Sequence, residues 1–346
     1  MKRWEIGPRG FGADGLGGLR LGNSPDPVAG PGEVLVRVTA AGLNFRDLMV
    51  LRGHYGSDLP EQRVPLSDGV GIIEAVGEGV TGFTPGDRVI APHFVTWVDD
   101  AAYSYAVFAR DLGVTADGWL AEKLVLPASA VIVVPETIND ATAAGLAVVG
   151  ATVWHAMVAF GGAGPGTLVL SQGTGGVALF ALQLAKALGA DFAITSSSEG
   201  KLARAREMGA DYAINYRERP DWAVALLEQS GGRGADVVVD TLGFPALGET
   251  VRATAVNGRI GTIGALSGSP RDAATASQGE IIAKNLTIKG IASGSRAMLE
   301  QALTRVASSG IRMEIDREYA FDNAPAAYRH LNSGAHMGKV LVRVSG

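Results

Sequence analysis

The hydrophobic and polar positions of this chain follow two different patterns, and the change falls near Asn139. From Glu33 to about Val134, short β-rich runs are separated by Gly, Pro and Asp. Runs of this kind between turn residues predict a compact, mostly antiparallel β domain. The runs are EVLVRVTAAG, GVGIIEAVGEGV, GDRVIAP and AEKLVLPASAVIVVP.

Beyond Asn139, apolar β runs alternate with amphipathic helices. The β runs are TLVLS, DFAITS, DYAIN, DVVVD, GRIGTIG and TIKGIA, and helices are predicted through Leu188 and Met208. Fully apolar strands joined by helices predict a parallel sheet that is covered on both faces. The predicted fold class is therefore α/β, with a doubly wound, Rossmann-type parallel sheet beside the mostly antiparallel β domain.

The end of the chain returns to mixed segments. Helices are predicted around Arg296 to Ser308 and near Pro325 to Leu331, with an edge-like strand EIDREYAF between them and the strand KVLVRV after them. We assign this tail to the β domain. The predicted division is residues 1–128 and 290–346 in the β domain and residues 129–289 in the parallel-sheet domain.

Composition narrows the function classes. The 346 residues are 47% apolar and 19% charged, as in folded proteins, and the net charge of −5 comes without a long basic run, which argues against nucleic acid as a main partner. The apolar stretch from Leu146 to Phe160 is too short for a membrane span. The N-terminus MKRWEIGPRG does not lead into a signal peptide, so we expect a cytoplasmic protein without a membrane partner.

The chain has no cysteine, which excludes disulfides and thiolate metal sites. Its five histidines, His54, His93, His155, His330 and His336, show no pair at metal-ligand spacing. We expect each to lie at the surface or to be a hydrogen-bonded polar group.

A glycine-rich turn follows the run TLVLS directly and opens a helix. It reads G-x-G-x-x-A, with Gly173 for the turn, Gly175 for close approach of a pyrophosphate and Ala178 for helix packing. The N–H groups and dipole of the helix then face the phosphates. The predicted cofactor-binding residues of this turn are Gly173, Thr174, Gly175, Gly176 and Val177.

The next strand ends in ITSSS and lacks the acidic residue that would hydrogen-bond the adenine ribose. Ser196 and Ser197 tolerate a 2′-phosphate that a carboxylate would repel. Lys201 and Tyr216 follow nearby, so the sequence favours NADP(H). Two later strands end at the same crevice, which adds Leu242, Gly243, Ile263 and Gly264 to the predicted cofactor site.

These features resemble the medium-chain dehydrogenase/reductase superfamily over nearly the whole chain. The segments that carry the resemblance are AAGLNFRDLMVLRGHYG, PLSDGVG, GEGVTGFTPGDRV, QGTGGVALFALQLAKALGA and KLARAREMGADYAINYRE. GLNFRD followed by Tyr55 is similar to the zinc-free branch, which contains quinone oxidoreductases and enoyl reductase domains. The resemblance implies a GroES-like β domain, 2′-phosphate binding by Lys201 and Tyr216, and a homodimer joined through the TIKGIA strands.

Zinc-dependent members of that superfamily hold a catalytic metal through a Cys, the His of a G-H-E segment and a second Cys. By resemblance, the matching positions are Asn44, Ser67 and Val148 or Val149, and none of these side chains makes such a site. We therefore predict no zinc. Without a Lewis acid, reduction of a simple carbonyl is the poorer hypothesis, whereas hydride addition to an enone, enoyl compound or quinone delocalises the charge.

The resulting prediction is an NADPH-dependent reductase of a small-molecule activated alkene or quinone. Tyr55 is the candidate proton donor or a pocket wall, and Asn44 is expected beside the nicotinamide. Arg46 and Asp47 are expected to form a local pair. Alternatives are a metal-free alcohol dehydrogenase or carbonyl reductase, or a non-catalytic nucleotide-binding protein.

By resemblance, Ser293, Ser295 and Arg296 approach the nicotinamide, although a helix cap explains the two serines equally well. The segment from Phe94 to Trp119 is rich in aromatic residues. It is expected either to cap the substrate pocket or to pack onto the β domain or a neighbouring subunit.

Overall fold

The computed structural model describes residues 1–7, 18–55, 62–264 and 276–345. The chain divides into two compact units, Met1–Ala151 with Gly294–Gly346, and Thr152–Ser293. The sequence prediction placed these boundaries at 128/129 and 289/290. The first boundary of the structure lies inside a continuous helical segment, Asp140–Phe160, so no turn in the sequence marks the change of unit.

The β-strands of the described residues are β1 (Lys2–Ile6), β2 (Leu19–Asn23), β3 (Glu33–Leu43), β4 (Asp68–Val76), β5 (Arg88–Ile90), β6 (Lys123–Pro127), β7 (Ile132–Val133), β8 (Leu168–Gln172), β9 (Asp191–Ser196), β10 (Tyr212–Asn215), β11 (Ala235–Asp240), β12 (Thr254–Thr262), β13 (Thr287–Gly290), β14 (Ile315–Ala320) and β15 (Lys339–Arg343). The hairpin formed by β1 and β2 was not predicted.

The α-helices of the described residues are α1 (Phe45–Leu51), α2 (Asp140–Val153), α3 (Gly176–Ala187), α4 (Glu199–Glu207), α5 (Trp222–Gln229), α6 (Leu247–Ala253), α7 (Gln278–Ala283), α8 (Arg296–Ser309) and α9 (Ala324–Ser333). Short 3₁₀ turns lie at Asp100–Ala102, Tyr105–Arg110, Ala128–Ala130, Phe244–Ala246 and Phe321–Asn323, and a π-helical turn at Trp154–Phe160 continues α2.

The first unit is built on a seven-stranded sheet in the order β14-β15-β3-β4-β5-β7, with β6 also paired to β3. Its pairings are antiparallel except that of β14 with β15. The first eight residues of β3 alternate between partly exposed and buried positions, so that Val34, Val36 and Val38 are all buried in the core. β14 lies at the edge, as its mixed polar pattern predicts.

The second unit is a six-stranded sheet in the order β10-β9-β8-β11-β12-β13, and every pairing is parallel. In chain order this is 3-2-1-4-5-6, the order of a doubly wound dinucleotide-binding sheet. All residues of β8 are buried, whereas β13 is an exposed edge strand. The predicted fold class is confirmed.

The helical segment Asp140–Phe160 is 21 residues long, and its length and composition are sufficient to cross a membrane. It is longer than the apolar stretch from Leu146 to Phe160 considered in the sequence, because the helix begins at Asp140, before the apolar residues. In the folded chain, 72% of its most apolar window is buried. Core helices of globular proteins have the same property, so packing inside the protein accounts for its composition.

Candidate active site

Asn44 lies where β3 ends and α1 begins. Its backbone is extended, as is usual at a helix N-cap, and its N–H donates to Asp47 Oδ2 at 2.7 Å. The neighbouring strand β15 pairs antiparallel with β3, with Val340 opposite Leu43. This pairing brings the first residue of β15, Lys339, beside Asn44.

The side chains of Asn44, Asp68 and Lys339 form a buried triad. Lys339 Nζ donates to Asn44 Oδ1 at 2.8 Å and to Asp68 Oδ2 at 2.9 Å, and Asn44 Nδ2 donates to Asp68 Oδ2 at 2.9 Å. An ammonium only donates and a carboxylate only accepts, so the orientation of the Asn44 amide is fixed by its two partners. Asp68 and Lys339 are 0% and 2% exposed, which makes this a buried ion pair.

Two of the positions that the resemblance matches to zinc ligands, Asn44 and Val148, meet at this triad. Asn44 contributes its amide, and the backbone N–H of Val148 donates to Asp68 Oδ1 at 2.6 Å. The aliphatic part of the Lys339 side chain packs against Gly145, and a Cβ added at Gly145 would lie 3.4 Å from Cγ and Cε of Lys339. Asp68 lies in the PLSDGVG segment, but no role was predicted for it, and Lys339 was not among the predicted site residues.

A second polar cluster surrounds Arg46, whose side chain is only 11% exposed. Arg46 Nη2 donates to Asp111 Oδ2 at 2.5 Å and to Tyr55 Oη at 3.3 Å, and Nη1 donates to Ser67 Oγ at 2.9 Å. Burial opposes the guanidinium charge, but Asp111, together with Tyr55 and Asp47, outweighs burial, and the pKa of Arg46 is raised. The permanent cation is therefore held beside the phenol.

His93 completes this cluster and is 2% exposed. Its Nδ1 lies 2.7 Å from Arg46 Nη1 and 2.7 Å from Asp111 Oδ1. Burial and the Arg46 charge lower the pKa of His93, so the ring is neutral at pH 7 and its tautomer decides which contact is the hydrogen bond. The expectation of a hydrogen-bonded polar histidine describes His93 well.

Arg46 and Asp47 do not form the predicted local pair. Asp47 Oδ1 instead accepts from Ser67 Oγ at 3.0 Å, and Arg46 binds that same hydroxyl from the other side. Adjacent residues of a helix point in different directions, which explains the error. Burial raises the pKa of Asp47 to about 6, with the Arg46 charge and the Asn44 N–H opposing the shift.

In the second unit, the predicted dinucleotide turn joins β8 to α3. Gly173 has a φ of +79°, and a Cβ added at Gly173 or Gly175 would meet nothing within 4 Å. The N-terminus of α3 has Gly175 as its N-cap and no side-chain cap. The open cradle and the uncapped N–H groups fit a pyrophosphate.

Thr174, Gly176 and Val177 belong to the same turn and the first helical residues, so the structure brings the predicted phosphate-binding group together. Ser196 ends β9, and its carbonyl accepts from Tyr216 N at 3.1 Å. Lys201 lies in the first turn of α4, where its N–H binds the Ser198 cap. Ser197 and Lys201 are half-buried and Tyr216 is 42% exposed.

The remaining predicted cofactor residues of this sheet follow the carboxyl ends of β11 and β12. Asp240 O accepts from Ile263 N at 2.9 Å and from Gly264 N at 3.2 Å. A Cβ at Gly264 would lie 2.0 Å from Thr241 O, so only glycine fits there. Leu242 and Gly243 lie two and three residues beyond the end of β11, and Asp240 Oδ2 accepts from Gly243 N at 3.2 Å.

The last predicted cofactor residues are engaged in hydrogen bonds inside their own units. Ser293 is fully buried, and its carbonyl accepts from His155 Nδ1 at 2.6 Å. Ser295 caps α8 through Met298 N at 3.1 Å and donates to Asp100 Oδ1 at 2.6 Å. Arg296 binds the Val131 carbonyl and Glu300. The helix-cap explanation accounts for Ser295.

The aromatic segment divides between two environments. Phe94, Trp97 and Val107 form a small buried cluster with Phe108, and Trp119 lies in the main core of the first unit. Tyr103 and Tyr105 are 47% and 90% exposed. Packing within the β domain therefore accounts for Phe94, Trp97 and Trp119.

Comparison with known proteins gives matches along most of the chain. Residues 30–136 match the family described as alcohol dehydrogenase GroES-like domain, and residues 176–308 match the family described as zinc-binding dehydrogenase. A zinc-type alcohol dehydrogenase-like protein of Schizosaccharomyces pombe is 38% identical over 319 residues, covering 91% of each chain. The chain belongs to the medium-chain dehydrogenase/reductase superfamily.

An acryloyl-coenzyme A reductase of Sulfurisphaera tokodaii is 32% identical over 338 residues, covering 94% of this chain and 96% of the relative. A crystal structure of an NAD-dependent alcohol dehydrogenase superposes with a TM-score of 0.89 at 31% identity, over 100% of both chains. The protein is an NAD(P)H-dependent oxidoreductase of this superfamily, as predicted.

Proposed function

We propose that this enzyme uses NADPH, without zinc, to reduce an activated alkene or a quinone. The observation that carries the proposal is the triad of Asn44, Asp68 and Lys339. A buried ammonium already occupies the carboxylate and amide oxygens to which a metal would bind. A dication brought to the same oxygens would be repelled by the lysine, and the nearby Ser67 is a poor ligand.

The donor set of the described residues agrees with this proposal. No group of three or more His, Cys, Asp or Glu side chains in the described ranges could hold a metal ion. Related families and proteins are named zinc-binding or zinc-type. At the positions that match the zinc ligands, this chain has Asn44, Ser67 and Val148 or Val149, which do not form such a site.

The chemistry of the first unit suits a conjugated acceptor. When bound, NADPH supplies hydride to the β carbon of such an acceptor, and the charge then spreads over an enolate or ring. What the protein must add is a proton donor, and Tyr55 is a phenol held by a buried cation. The relatives named acryloyl-coenzyme A reductase support an enoyl thioester as the first substrate to test.

The test of this function is a turnover panel with NADPH. It contains crotonyl-coenzyme A, 2-cyclohexenone, a benzoquinone, and acetone as the simple carbonyl. We expect oxidation of NADPH with the conjugated acceptors and little with acetone. Preferential turnover of acetone would favour a metal-free carbonyl reductase, and cofactor binding without any turnover would favour a nucleotide-binding protein.

Zinc content provides a direct measurement. We expect protein purified without a metal-affinity tag to contain far less than one zinc per chain by elemental analysis, before and after incubation with zinc and dialysis. One tightly held zinc per chain, with activity lost when it is removed, would refute the zinc-free proposal.

Cofactor preference is expected to depend on Lys201. Hydrogen bonds to a charged group contribute about 1.5–3 kcal/mol each, so Lys201→Ala should weaken NADPH binding by roughly ten- to a hundredfold and leave NADH binding nearly unchanged. Calorimetric titration of both cofactors measures this. Lys186→Ala is the matched control, because Lys186 forms a surface pair with Asp211. Equal losses for both cofactors would contradict 2′-phosphate recognition by Lys201.

A further inference from the structure

The hydroxyl of Tyr55 has one identified partner among the described residues, and that partner is a cation. Arg46 Nη2 donates to Tyr55 Oη at 3.3 Å, and the guanidinium carbon lies 4.9 Å from the centre of the phenol ring. Because arginine only donates, the phenol oxygen is the acceptor. The phenol hydrogen therefore takes no part in this bond and remains available to another acceptor.

The guanidinium is fixed on several sides. Asp111 and Ser67 accept from it, and His93 lies within hydrogen-bond distance. Asp111 is 1% exposed and its pKa is lowered, because Arg46 and His93 outweigh the effect of burial. These contacts come from parts of the chain that are far apart in sequence, so the position of Arg46 beside the phenol is built by the fold.

We propose that Arg46 is a positioning residue for Tyr55, which orients the phenol as a proton donor and stabilises the negative charge that remains when the proton leaves. This inference rests on the proposed function. When hydride adds to the β carbon of the alkene, the α carbon gains an electron pair. The O–H bond of Tyr55 breaks, a C–H bond forms at the α carbon, and the phenolate recovers a proton from water.

The charges around Tyr55 make this role testable. Arg46 faces it with a positive charge, whereas Asp111 and Asp47 face it with negative charges, and burial raises the pKa of the phenol while Arg46 opposes that rise. Tyr55 therefore stays protonated at neutral pH, and Arg46 supplies the attraction that favours loss of the proton. Removing Arg46 should make Tyr55 a weaker acid.

The first measurement does not depend on turnover. Tyr55 is replaced by 3,5-difluorotyrosine, which ionises at lower pH, and the fluorine resonances are titrated in the full-length protein. We expect Arg46→Met to raise the pKa of this side chain by about one to three units, because a positive charge at this distance usually lowers the pKa of an acid by that amount and the variant removes it. Arg46→Lys should give an intermediate value. An unchanged pKa in Arg46→Met would overturn the proposal.

The second measurement is a double-mutant cycle on kcat with crotonyl-coenzyme A. Each pKa unit of lost acidity corresponds to about 1.4 kcal/mol, so Arg46→Met should lower kcat by about tenfold or more. In a Tyr55→Phe background the same change should alter kcat by less than about twofold, because its effect passes through the phenol. Full additivity of the two changes would overturn the proposal.

Two further variants serve as controls for loss of stability and for the loss of any paired arginine. Arg46→Met/Asp111→Asn removes both charges of the buried pair and serves if Arg46→Met alone is unstable; the pKa should still rise, but by less than in Arg46→Met, because the charge of Asp111 itself raises the pKa of Tyr55. Arg88→Met is the matched arginine control, since Arg88 pairs with Asp140 and with backbone carbonyls elsewhere in the same unit; it should leave both readouts unchanged. The two proposals can fail separately. If Arg46→Met raises the pKa of Tyr55 but the wild-type protein reduces no alkene, the pairing of Arg46 with Tyr55 is supported and only the proposed function is contradicted.

Discussion

Tyr55→Phe is expected to lower kcat for an enoyl or enone substrate by about a hundredfold or more, which is the usual contribution of a general acid. NADPH affinity should not change. Burial keeps the Tyr55 proton in place at neutral pH, so the loss should be seen throughout the neutral range. Steady-state kinetics and calorimetric NADPH titration of the same preparations separate the two quantities.

Tyr105→Phe is the matched control for this prediction. Tyr105 is 90% exposed, so removal of its hydroxyl should leave kcat unchanged. Nearly normal turnover of Tyr55→Phe with altered product stereochemistry would show that Tyr55 only directs protonation by water. Unchanged rate and unchanged stereochemistry would make it a wall of the pocket.

Lys339→Met is expected to lower the free energy of unfolding by about 3–5 kcal/mol, because it leaves the carboxylate of Asp68 buried without a counter-charge. Asp68 is fully buried and receives hydrogen bonds from Asn44, Lys339 and Val148. Denaturant unfolding followed by circular dichroism measures the change. The midpoint should shift without a change in slope.

A neutral pair tests the cause of that loss. Lys339→Met/Asp68→Asn removes both charges and should recover most of the lost stability. Lys186→Met, which breaks a surface pair with Asp211, should cost no more than about 1 kcal/mol. If the double variant is as unstable as Lys339→Met, the loss comes from packing of the lysine stem and not from charge.

The fold could be predicted from the sequence because its signals are local. Apolar strands such as TLVLS and the glycine turn after it are contiguous in the chain, and they form β8 and the N-terminus of α3. The β1–β2 hairpin gave no such signal. Its strands are five residues each and are separated along the chain by residues 7–18, so no short turn motif joins them.

The site was predictable only in part, because its key contacts join distant residues. Asn44 and Tyr55 were identified through one contiguous segment. Lys339 lies 295 residues from Asn44, in a run that reads as an ordinary strand. Only the pairing of β15 with β3 places its ammonium in the triad. Asp111 and His93 were missed as partners of Arg46 for the same reason.

The interlocked triad also bears on how many exchanges a zinc site at these positions would need. Exchanging Asn44 for cysteine alone would leave the ammonium of Lys339 beside the new thiolate. Exchanging Ser67 for histidine would remove the hydroxyl that joins Arg46 to Asp47. Val148 meets Asp68 through its backbone and offers no ligand atom in its side chain. None of these three exchanges alone supplies a complete zinc site, so a zinc site at these positions requires several substitutions together.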